Sequence, residues 1–185
     1  MSDTSQRLFF ALWPSPELQH HLHALAWQLQ PQAHGPALRV MQRENLHLTL
    51  LFLGNVPTAR LAELIDMAAD IRLPPFTLAL DKLGYFPEAK VAWAGIRQPP
   101  PTLFDLAMAL RRGCTALGLP LDPRPLSPHV TLLRKVQAPP PLTVIPPLHW
   151  AVDDFALVVS VGGSYRVLRR FGFTKTDVQK SEVSA

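Results

Sequence analysis

Two short segments of this chain carry the same pattern, and that pattern fits poorly into an ordinary core. Asn45-Leu-His-Leu-Thr-Leu-Leu-Phe-Leu-Gly54 is apolar almost throughout, with His47 and Thr49 the only polar side chains between Leu46 and Leu53. Ser127-Pro-His-Val-Thr-Leu-Leu-Arg134 repeats it as His, apolar, Thr, apolar, apolar. Side chains two apart on a strand point the same way. His47 and Thr49 therefore share one face, while Leu48 and Leu50 share the other and turn to a core. Burying such polar groups without partners costs roughly 1–3 kcal/mol each. A lone histidine on an apolar strand is most simply a satisfied core residue. Two matched His-Thr pairs, His47/Thr49 and His129/Thr131, favour a shared polar site instead.

The remaining sequence supplies a frame for such a site. The 185 residues are 48% hydrophobic, enough for one domain or two joined lobes around a substantial core. The formal charge of +4 suits an anionic substrate and falls short of a nucleic-acid coating protein. The single cysteine, Cys114, lies in an apolar helical stretch, where it reads as a small core residue in a reducing compartment. No signal-peptide pattern opens the chain and no apolar run reaches the length of a membrane span, so a cytoplasmic location is expected, with no membrane partner and a monomeric state.

The element order reads β-α-β-α-β-β-α-β-β-β. Strands are expected at 7–13, 45–54, 76–83, 90–96, 127–134, 156–161 and 165–171. Helices are expected from Pro16 to Gln30, capped by Ser15, then after Thr58 as cap, then from Thr102 to Leu117. Gly84 to Glu88 reads as a hairpin turn, Pro139 to Pro147 as a proline-rich connection, and Gly162-Gly163 as a tight turn. His20, His21 and His23 fall on the first helix with no completing ligand nearby, so they read as a solvated face. Strand pairs without intervening helices indicate an α+β fold with antiparallel sheets. Residues 1–178 form one bilobal domain in this reading, with one motif per lobe (47–50 and 129–132) and a flexible tail at 179–185.

Paired histidines and threonines facing each other across a cleft suit a phosphodiester. One imidazole can take a proton from the attacking oxygen while the other gives one to the leaving oxygen. The threonine hydroxyls can bond the phosphoryl oxygens. Arg134 lies on the opposite parity from Thr131 in a regular strand; if it reaches the cleft, it adds a charge-assisted contact to the phosphate. No acidic cluster accompanies either motif, so neither a metal nor another cofactor is called for.

These residues resemble the two-histidine phosphoesterase superfamily, and within it the family of bacterial RNA 2′,3′-cyclic phosphodiesterases, also known as 2′-5′ RNA ligases. The resemblance runs from Gln6-Arg-Leu-Phe-Phe-Ala11 through both motifs to the final strands, and takes in Trp93 and Gln98-Pro-Pro100. It implies two pseudo-symmetric lobes, antiparallel sheets flanked by helices, and a central cleft. It implies that His47 protonates the leaving O3′ and His129 activates water, leaving a 2′-phosphate on RNA ends or cyclic nucleotides. Phe10 and Tyr165 match positions where an aromatic ring stacks on a base. Reversible, nucleotide-independent 2′-5′ RNA ligation is the alternative within the family. A non-catalytic RNA-end binder is the rival of another class, disfavoured because binding alone could use Lys or Arg.

Overall fold

A computed structural model describes residues 4–174 of the chain. The expected tail at 179–185 lies outside the described residues. Strand β1 (Ser5–Leu12) leads into helix α1 (Pro16–Leu29), whose first turn is closed by the Ser15 hydroxyl accepting from the Leu18 N–H. A short strand β2 (Arg39–Val40) precedes β3 (Leu48–Pro57), α2 (Leu61–Ala69), β4 (Phe76–Phe86), β5 (Val91–Gly95) and α3 (Pro101–Ala116). The chain closes with β6 (His129–Arg134), β7 (Val144–Val152), β8 (Asp154–Val161) and β9 (Ser164–Gly172).

All strands pair antiparallel in the order β7-β4-β5-β6-β3-β1-β8-β9, with β2 beside β6. Apart from β2, the sheet divides into two four-stranded halves, β3-β1-β8-β9 and β6-β5-β4-β7. They meet through one residue pair, Leu48 opposite Val130. The first half is discontinuous, because the C-terminal hairpin β8-β9 joins β1 and β3. Helix α1 leaves β1 but packs against β6 and β7 of the other half, while α3 leaves β5 and packs against β3. The helices thereby tie the halves together across a junction that a single pair would hold weakly. Their apolar faces bury Leu22, Leu64, Leu103 and Leu110 against Leu8, Phe10, Leu12, Leu48 and Leu132 of the sheet.

Four local readings change. Thr58 does not cap α2; it begins a 3₁₀ turn, Thr58–Arg60, and its hydroxyl donates to the Thr4 carbonyl, tying the helix approach to the start of β1. Strand β2 is too short for any periodic signal. Strand β7 runs through Pro146-Pro147, where a connection was expected. Proline cannot donate to a ladder and is tolerated at a sheet edge. β7 is an edge strand, and its prolines fall between Val144 and Leu148, where pairing to β4 is irregular. Gly84 lies inside β4 opposite Trp93, and the hairpin turns at Pro87–Lys90 instead. The glycine is there for space, since a Cβ at residue 84 would lie 2.1 Å from the Trp93 ring. Gly84→Ala is expected to destabilise the protein by about 1–3 kcal/mol through overpacking, read from the denaturation midpoint. A midpoint equal to wild type would show that the Trp93 ring moves aside freely.

Candidate active site

Leu48 and Val130 each sit between the His and the Thr of their motif. Their pairing at the junction of the halves sends both cores one way and both His-Thr pairs the other. Because the strands run antiparallel, His47 lies toward Thr131 and Thr49 toward His129. Beyond this pair β3 and β6 splay apart. The space between them is a cleft of about 710 Å³ lined by His47, Thr49, His129, Thr131, Arg134 and Tyr165, among others.

Each motif strand carries a bulge at the same place. In β3, Thr49 pairs with Ala11 but Leu51 with Phe10, so Leu50 is the extra residue. In β6, Thr131 pairs with Trp93 but Leu133 with Ala92, so Leu132 is extra. A bulge shifts the alternation by one. The fifth residue after each histidine therefore returns to the cleft. That residue is Arg134 on one side and Phe52 on the other, both exposed and both lining the cavity. This is how Arg134 reaches the site despite its opposite parity in a regular strand. Its Nε donates to the Met41 sulfur at 3.2 Å.

The two imidazoles are held in the same way. His47 Nδ1 is 2.7 Å from the Asn45 carbonyl and His129 Nδ1 is 2.7 Å from the Ser127 carbonyl. A carbonyl only accepts, so each Nδ1 carries the proton and each Nε2 is left as the reactive nitrogen. The Thr49 hydroxyl donates to His47 Nε2 at 3.1 Å. Asn45 is itself buried. Its side-chain oxygen accepts from the Tyr165 N–H at 3.3 Å and its amide donates to Gln42, which binds the start of β9 to the approach of β3.

Burial pulls His47 down to about 4. The Asn45 carbonyl opposes that shift, while Arg134 and His129 add to it. His129 is also lowered, first by burial and then by Arg134, with the Ser127 carbonyl opposing. Both histidines are thus neutral near pH 7 with the cleft open to water, and the Arg134 guanidinium acts on both.

Aromatic rings wall the pair. Trp13 stacks on His47 with ring centroids 5.3 Å apart and planes 6° from parallel. Tyr165 meets His47 edge-on at 4.9 Å and Phe9 lies at 5.1 Å. Phe86 packs edge-on against His129 at 5.0 Å, and Trp93 lies at 6.0 Å. Phe10, by contrast, is fully buried against Phe155 and Phe171 on the opposite face of β1, so its expected base-stacking role is wrong. From Leu8 to Trp13 the chain alternates: Phe9, Ala11 and Trp13 lie on the His47 side, where Phe9 and Ala11 are buried with Ala156 and Val158, and Leu8, Phe10 and Leu12 lie on the main-core side. Period-two alternation in Leu8–Trp13 contains this division; only the register against Thr49 says which set faces the histidines. Among the described residues no group of three His, Cys, Asp or Glu side chains is placed to hold a metal ion.

The model of the family described as LigT like Phosphoesterase matches residues 12–93, which include the first motif. The RNA 2′,3′-cyclic phosphodiesterase of Escherichia coli is 38% identical over 178 residues, 92% of this chain and 98% of its own. The enzyme of that name from Thermus thermophilus is 33% identical over 183 residues, 89% of each chain. The solved structure of Escherichia coli LigT complexed with 3′-AMP superposes with a TM-score of 0.79 at 37% identity, covering 93% of this chain and 100% of that one. This chain belongs to the LigT-like phosphoesterase family. The relatives that match it along most of its length are RNA 2′,3′-cyclic phosphodiesterases.

In the free protein, NMR titration should give His47 a midpoint near 4 and His129 one below its ordinary 6.5. Arg134→Gln removes a positive charge that disfavours both imidazolium ions, so both midpoints should rise. Midpoints at 6.5 in wild type, or unmoved by the substitution, would contradict this electrostatic picture.

Proposed function

We propose that this protein hydrolyses RNA 2′,3′-cyclic phosphate ends to 2′-phosphates by acid–base chemistry of His47 and His129, without a metal ion. The supporting observation is the pair of imidazoles over one cavity, each with its Nδ1 proton fixed on a carbonyl; the Nε2 of each exchanges the proton, that of His47 once the Thr49 hydroxyl turns to substrate. His129 Nε2 takes a proton from water as the water oxygen attacks phosphorus. The P–O3′ bond breaks, and protonated His47 gives its Nε2 proton to O3′. Thr49, Thr131 and Arg134 bind the non-bridging oxygens, whose negative charge grows in the transition state. Tyr165, on the wall beside His47, contacts the nucleoside. The enzyme works as a cytoplasmic monomer; its single cysteine, Cys114, is free and buried, which fits a reducing compartment.

The acid must carry a proton that burial and Arg134 disfavour. A bound phosphodiester anion offsets both effects, so the proton is favoured on His47 only once substrate is present. The sign follows directly: the protonated fraction of free His47 rises as pH falls toward about 4. The profile of kcat/KM, which reports free enzyme, should therefore peak on the acid side of neutrality, and that of kcat at higher pH. A kcat/KM that rises from pH 5 to 9 would rule out His47 as the acid.

His47→Ala and His129→Ala should each lower turnover of a 2′,3′-cyclic nucleotide by roughly 10²–10⁴-fold. The double variant should be little worse than either, because the two act as a unit. Activity should survive EDTA; loss restored by a divalent cation would refute the metal-free mechanism.

A further inference from the structure

Helix α3 has two apolar stripes where one suffices to anchor it. Leu103, Leu106, Leu110 and Cys114 are buried in the core. Phe104, Ala107, Met108 and Arg111 recur at the spacing of a second face, and all four line the cleft that holds His47 and His129. Phe104 is 37% exposed and Met108 52%. Across the cleft stands Phe52, 57% exposed, at the position that matches Arg134 in the other motif. Nothing in the acid–base chemistry uses these side chains. A cavity of about 710 Å³ is also far more than one phosphate group fills.

The charges of this arm lean positive: Arg111, Arg124 and Arg134 line the cleft with Glu88 and Asp122, and the cationic excess suits a polyanion. Arg111 donates to the carbonyls of Asp122 and Arg124, and among the described residues no carboxylate lies within ion-pair distance of it. Arg124 is strongly exposed but bound to Asp122 at 2.5 Å, so its charge is partly spent. Flat or polarisable apolar surfaces beside guanidinium groups are what single-stranded nucleic acid binds, bases on the rings and backbone on the cations. From Phe104 to Arg111 the helix rises roughly 10 Å, the height of about three stacked bases.

We propose that Phe52, Phe104 and Met108, with Arg111, form a track for the nucleotides upstream of the reacting end, which makes the preferred substrate an RNA oligonucleotide rather than a free cyclic nucleotide. This rests on the phosphodiesterase reading of the adjoining histidines. The track starts on the His129 side of the cleft, where β3 turns outward past Leu50 and the loop before β6 faces it with Pro125 and Leu126.

The test compares a 2′,3′-cyclic mononucleotide with a tetraribonucleotide ending in the same cyclic phosphate. Wild type should favour the tetranucleotide in kcat/KM by roughly 5- to 150-fold, the range for stacking of one base on a protein surface. Phe104→Ala and Met108→Glu should erase most of that preference while leaving the mononucleotide value within about twofold; Met108→Gln serves if the glutamate variant does not fold. No preference in wild type, or equal losses on both substrates, would overturn the track. A concentration-dependent dimer in sedimentation that Met108→Glu abolishes would assign the stripe to a second copy of the chain, and would also overturn it. If neither substrate is turned over, the phosphodiesterase reading fails. The track is then read by fluorescence anisotropy of a labelled tetraribonucleotide ending in a 3′ hydroxyl, where weaker binding to Met108→Glu supports it and equal binding refutes it.

Discussion

One backbone pairing holds the site open. Among the described residues Leu48 and Val130 are the one pair in register between the two halves of the sheet, and each is the residue between a His and a Thr. A longer β3–β6 ladder would zip the cleft shut; with no ladder the halves would have no fixed relation. A single pair fixes the direction and face of both motifs and leaves the strands free to diverge on either side. The crossed packing of α1 and α3 supplies the stiffness that one pair lacks. The matched bulges at Leu50 and Leu132 then recover a side chain from the core face for the cleft, Phe52 from one strand and Arg134 from the other.

The electrostatics of the cleft follow from the same placement. Half-buried imidazoles beside one guanidinium are held neutral, and an incoming anion favours the proton on His47. The carbonyls of Asn45 and Ser127 decide which nitrogen of each ring is presented, a choice that sequence spacing does not disclose. Asn45 joins this to the fold: its main chain orients His47 while its side chain receives the N–H of Tyr165.

Much of this was legible in the chain itself. The two His-Thr pairs, their common face, the α+β class and most helix and strand positions follow from periodicity and from turn residues such as Gly162-Gly163. What escaped has physical causes. A strand interrupted by Pro146-Pro147 does not read as one, because its tolerance comes from lying at the edge of a sheet that exists only once folded. Gly84 reads as a turn until Trp93 is seen to occupy the space its missing side chain leaves. Phe9 and Phe10 are indistinguishable by type, and one register decides which meets His47. Trp13, stacked on His47, stood in the sequence beside Pro14 as nothing more than the end of a strand. The second stripe of α3 was hidden because helical periodicity reports that a face is apolar, not what it faces.

The discontinuity of the first half has a consequence for how the protein is made. A chain emerges from the ribosome from its N-terminus, and domains tend to form as their segments become available. Strands β4 to β7 are contiguous and can close together, bringing in His129, Phe86 and Trp93. The strands β1 and β3, which carry the surroundings of His47, wait for β8 and β9, and Tyr165 lies on the last of these. One wall of the cleft can therefore form on the nascent chain, but the histidine expected to protonate the leaving group acquires its finished environment only once β8 and β9 have been made and paired with β1.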